Sequence, residues 1–282
     1  MKIGIFLESL RKEFKEGVLL AKSMGVNGFQ IYASNGSPTI HVGMSKQEIY
    51  DVKTFLADEG MEISAFCGDM GHRMFYFPDE MREQLEYQKK MADLAESFGV
   101  KVITTHIGVI PEDKNQKRYD TMKSVYTELA ECAENAGVHF AIETGPEPSI
   151  RLKEFLDEID SKGKGVNFDP ANLVMVQGEN PVEAVYNLKD YIVHTHAKDG
   201  KMLQKSDSEA LYIPDVIGVT PQTDVGYFIE VPLGDGQVVW SDYLKALKSI
   251  GYNKFLTIER EVGDNPVADI QKAVDFLKGE IK

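Results

Sequence analysis

Residues 134–156, ENAGVHFAIETGPEPSIRLKEFL, hold one repeating unit of this chain. In NAGVH (135–139) the glycine fits a left-handed helix exit that turns the chain back into a sheet. His139–Gly145 is a short apolar run of the kind that forms a buried parallel strand. Ile150–Ile159 carries apolar residues at i, i+3 and i+4, the spacing of an amphipathic helix. The strand stops abruptly at a carboxylate, Glu143, and the carboxyl ends of parallel strands are where α/β folds place their chemistry.

The same unit recurs in both directions. Strand-like runs are predicted at Lys2–Glu8, Gly28–Ser34, Glu62–Asp69, Val102–Gly108, His139–Gly145, Gly165–Asn172, Ile192–Asp199 and Phe255–Glu261. Helical periodicity lies between them at Phe14–Met24, Lys46–Ala57, Glu80–Phe98, Asp120–Ala136 and Ile150–Ile159. Further helix exits of the glycine type stand at SMGV (23–26), EGME (59–62), FGVK (98–101) and SIGYN (249–253). Eight strand–helix repeats without a Pro/Gly/Ser-rich linker predict an α/β fold, a single (β/α)8 TIM barrel over residues 1–282. The competing open doubly wound sheet would usually need a glycine fingerprint after the first strand, where this chain has ESLRKEF. A long segment at about 200–235, punctuated by Gly218, Pro221, Gly226, Pro232 and Gly234, is predicted to be a loop after the seventh strand, of the sort used as a lid or partner surface.

Composition narrows the function. The 282 residues are 43% hydrophobic with a formal net charge of −14, and a chain this long buries about 75% of its unfolded surface. Acidic proteins lack the lysine and arginine term that dominates nucleic-acid affinity, so nucleic acid is not an expected partner. No stretch approaches the ~18 apolar residues of a membrane span, and the N-terminus shows no cleavage-site pattern, so a soluble, cytoplasmic protein with no membrane partner is expected. Cys67 and Cys132 fit reduced thiols. A homo-oligomer is compatible with the sequence, which carries no sign of its order.

Four strand ends carry metal-capable groups: Glu143 in AIETG, Asp169 in VNFDPAN, His196 in IVHTHAKD and Glu259 in FLTIERE. Three carboxylates and an imidazole brought together would repel one another, at a cost on the order of 4 kcal/mol per like pair at ~4 Å, unless a cation sat among them. The oxygen-rich donor set with one nitrogen favours one divalent ion, Mn²⁺, Mg²⁺, Co²⁺ or Zn²⁺, over a soft-metal site. Two open positions of an octahedral ion would chelate a hydroxyketone, and the proton beside its carbonyl would become acidic enough for a carboxylate to take. Glu143 and Glu259 are the candidate acid/base pair, standing across the barrel mouth. Alternation puts His194 and His196 on one face, with His194 the structural partner. His106, Asn172, Lys198, Glu8 and Asp199 are candidate substrate contacts, and His72 is a weaker one. Phe75, Tyr76 and Phe77 either wall the pocket or pack.

With THIG (105–108), AIETG (141–145), NFDPANL (167–173), HTHAKDG (194–200), VPLGDGQVVW (231–240) and IEREVG (258–263), the chain resembles the xylose isomerase-like TIM barrels, the sugar phosphate isomerase/epimerase group. The resemblance implies a small polyhydroxylated carbonyl substrate. It also implies a divalent ion held by Glu143, Asp169, His196 and Glu259, with the two glutamates transferring protons. Ketose 3-epimerases of the group carry histidine where this chain has Asn172, and arginine where it has Met202. Endonuclease IV-type enzymes of the same barrel use a histidine-rich zinc cluster that the sequence lacks. Keto-inositol dehydratases share the proton-abstraction step, so isomerase and lyase both remain open, beside a barrel that binds sugar without turnover.

Overall fold

The computed structural model describes residues 1–281. Eight parallel strands close on themselves: β1 (Lys2–Phe6), β2 (Gly28–Tyr32), β3 (Glu62–Cys67), β4 (Val102–Thr105), β5 (His139–Glu143), β6 (Lys164–Phe168), β7 (Ile192–Ala197) and, last in the chain, β10 (Phe255–Ile258). Closure rests on β1, which pairs with β2 on one side and with β10 on the other, in register Lys2↔Phe255 to Ile5↔Ile258. An open doubly wound sheet is thereby excluded.

Outside the barrel run α1 (Phe14–Ser23), α2 (Lys46–Glu59), α3 (Arg82–Phe98), α4 (Lys117–Ala136), α5 (Ser149–Asp157), the short α6 (Pro170–Asn172), α7 (Pro181–Asn187), α10 (Trp240–Ser249) and α11 (Pro266–Glu280). Their apolar faces bury residues such as Leu129, Phe155, Leu247 and Leu277 against the strands, each worth about 1.5–3 kcal/mol of transfer free energy. Tyr126 of α4 adds a polar tie, its hydroxyl donating to the Phe140 carbonyl at 2.8 Å. The predicted glycine exits hold: Gly25, Gly60, Gly99, Gly137 and Gly251 all adopt φ between 65° and 80°. No helix among the described residues is long and apolar enough to cross a membrane, and both cysteines are free thiols.

Two expectations are corrected. The strands end earlier than the apolar runs suggest, because the chain leaves the ladder as soon as it turns into the loops of the mouth. β1 stops at Phe6, where Leu7–Leu10 tightens into a 3₁₀ turn, so Glu8 sits in that turn and not at a strand end. β4 stops one residue before His106, and β6 stops at Phe168 because Asp169 caps α6. The segment at 200–235 is not structureless: β8 (Asp199–Met202) and β9 (Phe228–Val231) pair antiparallel, and α8 (Ser208–Tyr212) and α9 (Pro214–Ile217) lie between them.

Candidate metal centre

Each of the four strand-end groups is placed by a local feature of its own. Glu143 is the last residue of β5 and His196 lies within β7, both 5% exposed or less. Asp169 follows β6 and caps α6: its Oδ1 accepts the amides of Ala171 at 2.8 Å and Asn172 at 3.0 Å. The Thr144 hydroxyl bridges the Asp169 amide and carbonyl at 2.8 and 2.9 Å, which leaves Oδ2 pointing inward. Glu259 follows β10, its amide bonded to the Ala197 carbonyl at 3.2 Å.

The ligand-capable atoms of Glu143, Asp169, His196 and Glu259 all lie within 4.8 Å of one another. His196 Nδ1 faces Glu143 Oε1 at 3.5 Å, Asp169 Oδ2 at 3.5 Å and Glu259 Oε2 at 3.4 Å. Yet Nδ1 and Asp169 Oδ2 are buried with no hydrogen-bond partner. Orphaned polar atoms of that kind are costly, and four donors converging on a common point without bonding each other have the geometry of a cation site. These residues therefore fit a divalent ion of the oxygen-preferring class.

Supporting residues fix the imidazole. His196 Nε2 stands 2.9 Å from Gln30 Oε1, so Nε2 donates there and Nδ1 is the nitrogen that would face a bound cation. Gln30 is itself held by the Thr104 hydroxyl at 3.0 Å. Asn167 Nδ2 donates to Glu143 Oε2 at 3.0 Å, and its Oδ1 meets His194 Nδ1 at 2.8 Å. His194 Nε2 is satisfied by the Thr257 hydroxyl at 2.9 Å. Burial, with the neighbouring His196, pushes His194 well below its ordinary range and keeps it neutral. His194 is thus a structural partner within the barrel.

The electrostatics are those of a site built around positive charge. Burial opposes ionisation of Glu143, but His196 and His106 overcome it and hold this carboxylate well below the usual range. Burial likewise opposes ionisation of Glu259, which His196 and Lys198 hold low. The two glutamates differ in their holders. Glu143 is gripped by the amides of Asn167 and Asn172, each at 3.0 Å, with His106 Nε2 at 3.6 Å. Glu259 is gripped by the buried Lys198 ammonium at 3.0 Å.

Above the centre opens a cavity of about 330 Å³ lined in part by His106, Asn172 and Lys198. Asn172 reaches Glu143 because Gly145, at φ 145°, leaves room: a Cβ there would lie 2.6 Å from Asn172 Cβ. His106 Nδ1 pairs with Asp69 Oδ2 at 3.1 Å. Glu8 and His72 do not line this cavity. Glu8 accepts the Tyr32 amide at 3.1 Å, and His72 Nε2 meets Asp215 Oδ1 at 3.3 Å. Asp199 turns away to bind backbone amides of residues 234–238. Phe75 and Tyr76 pack in the core, the Tyr76 hydroxyl on the Val109 carbonyl at 3.0 Å. Cavity residues that the sequence reading passed over include Gln30, Tyr32, Asp69, Tyr212, Asp224 and Glu230.

The family described as xylose isomerase-like TIM barrel matches residues 18–280. Over 191 residues the chain is 27% identical to an uncharacterized protein of Methanocaldococcus jannaschii, covering 63% of this chain and 55% of that one, so the match spans about half the relative's length. It is 22% identical over 278 residues to L-ribulose-5-phosphate 3-epimerase UlaE of Salmonella paratyphi B, covering 94% of this chain and 89% of the relative. The solved xylose isomerase domain protein from Planctomyces limnophilus superposes with a TM-score of 0.77 at 26% identity, over 99% of this chain and 95% of that one.

Proposed function

Since the chain belongs to the xylose isomerase-like TIM barrel family, we propose that it is a divalent-metal-dependent sugar isomerase or epimerase, with Mn²⁺ at Glu143, Asp169, His196 and Glu259. The observation that carries this reading is the His196 Nδ1 atom, partnerless at 3.4–3.5 Å from three carboxylates. The name of the full-length Salmonella relative, a ketose-phosphate 3-epimerase, supports an epimerase before a lyase.

A bound divalent ion would polarise a carbonyl and offset the charge that builds as the neighbouring proton leaves. Glu143 and Glu259 are the proton-transfer pair: one, ionised, would take the proton from one face of the carbon, and the other, carrying a proton drawn from solvent, would deliver it to the opposite face of the enediolate. Their holders differ: the Lys198 ammonium bonds Glu259, while the amides of Asn167 and Asn172 bond Glu143. His106, aimed by Asp69, positions a substrate hydroxyl. Phe6, Met175, Tyr212 and Phe228 line the cavity and exclude water from the reacting carbon.

Deuterium wash-in tests the proposal. In D₂O with Mn²⁺, a panel of ketoses should gain deuterium at the carbon beside the carbonyl, and Glu259→Gln should abolish the exchange. A product lighter by one water would make the protein a lyase, and absence of exchange across the panel would make it a binder.

A further inference from the structure

The cavity above the proposed centre is anionic well beyond what an ion would need. Asp69, Glu143, Asp224, Glu230, Glu259 and Glu261 line it, with Asp169 beneath, and the one lysine in the lining is Lys198. Lys198 is 4% exposed and already bonded to Glu259 and Glu261. Arg260, between Glu259 and Glu261 in the chain, is shared between Glu230 and Asp269. A divalent ion, Lys198 and the Arg260 guanidinium on Glu230 together bring four positive charges to seven carboxylates.

Backbone donors that could grip a phosphate are also taken. TIM barrels frequently hold phosphate in the loops after strands seven and eight. After β7, the turn Leu233–Val238 aims its amides inward like an anion cradle, and the protein's own Asp199 fills it. The amides of Gly234 at 3.0 Å, Gly236 at 3.2 Å and Val238 at 3.2 Å donate to that carboxylate, together with Gly200 N at 2.9 Å and Trp240 Nε1 at 3.0 Å. The fit leaves no space for a second anion: a Cβ on Gly236 would stand 1.9 Å from Asp199 Oδ1. After β10, the start of α11 is capped by Asn265, which accepts the Ala268 amide. A neighbouring groove of about 690 Å³ contains Arg118, Arg151 and Lys205, but the two arginines pair with Glu209 and Glu112, and Asp113 and Asp207 line it as well.

Resting on the functional reading above, we propose that the substrate is uncharged, a free polyhydroxylated carbonyl compound, and that the site discriminates against phosphate esters. Carboxylates at the rim accept hydrogen bonds from sugar hydroxyls and repel a phosphate placed among them. In this respect the chain would part from its ketose-phosphate relative.

Matched pairs of a free ketose and its phosphate ester, L-ribulose and L-ribulose 5-phosphate first, separate the possibilities on the wild-type protein loaded with Mn²⁺. The free sugar should exchange deuterium with kcat/KM at least ~10-fold above its ester, the scale that like-charge contacts impose. Calorimetric affinity for the ester should rise with added salt, because salt screens repulsion. Inorganic sulfate should show no saturable binding. An ester processed or bound as well as its free sugar, an ester affinity that falls with salt, or one-to-one sulfate binding would overturn the inference. If no member of any pair exchanges deuterium, the catalytic reading fails, while the affinity ratio and the sulfate titration still decide this one.

Discussion

Gln30 Oε1 lies 2.9 Å from His196 Nε2, inside the barrel and away from solvent, and this contact decides which imidazole nitrogen is free. A partner that fixes the tautomer of a metal-binding histidine typically contributes 10- to 100-fold, roughly, in metal affinity. Gln30→Leu should therefore weaken Mn²⁺ binding by about that factor in a calorimetric titration. Unchanged affinity would remove Gln30 from the site.

Ligand binding to the native state alone raises apparent stability by about 2.7 kcal/mol at 100-fold excess over Kd. Wild-type protein stripped with EDTA should thus melt at a higher temperature when Mn²⁺ is added. Asp169→Asn, which keeps an α6 cap while losing a charged donor, should lose most of that increment. An equal Mn²⁺ shift in the variant would place the ion elsewhere.

Glu147 is buried, accepts the Ile110 amide at 3.1 Å, and its other oxygen has no partner. Burial raises its pKa from 4.5 to about 8. The native state therefore keeps a proton that the unfolded chain releases above pH 4.5. Stability falls as pH rises from there toward 8, by about 1.4 kcal/mol per unit for one proton. Glu147→Gln should flatten that slope by roughly one proton in denaturant titrations between pH 5 and 8, and an unchanged slope would contradict the assignment.

The excursion between β7 and β10 is tied across the mouth. Asp215 of α9 meets Arg73 and His72, Glu209 of α8 meets Arg118, and Ser208 accepts from Gln177 at 2.9 Å. Arg73→Ala should loosen this cover, raising KM several-fold with a smaller effect on kcat and speeding limited proteolysis within the exposed stretch 218–226. Wild-type KM and cleavage rate in the variant would show that the tie has no gating role.

Much of the fold was legible because each buried strand ends where the chemistry begins. Glu143 and Asp169 stand out as charges closing runs of apolar residues, and glycines with φ near 70° mark the helix exits. Gln30 and Asn167 were harder to see, although each had a signal: a polar residue flanked by apolar neighbours within a strand, in GFQIY and KGVNF, must find a buried partner. Asp69, Tyr212, Asp224 and Glu230 reach the cavity from outside the eight barrel strands, where no periodicity exists to be read. The β8–β9 pair escaped for a related reason. Four residues on each side are too few to show alternation amid glycines and prolines, and their pairing depends on partners distant in sequence.

Diffraction from crystals soaked in Mn²⁺, recorded at the manganese absorption edge, tests the central claim most directly. One anomalous peak should appear within about 2.0–2.3 Å of Glu143, Asp169, His196 Nδ1 and Glu259, at ordinary metal–ligand distances. A peak away from these four side chains, or none at full Mn²⁺ occupancy in solution, would contradict the account.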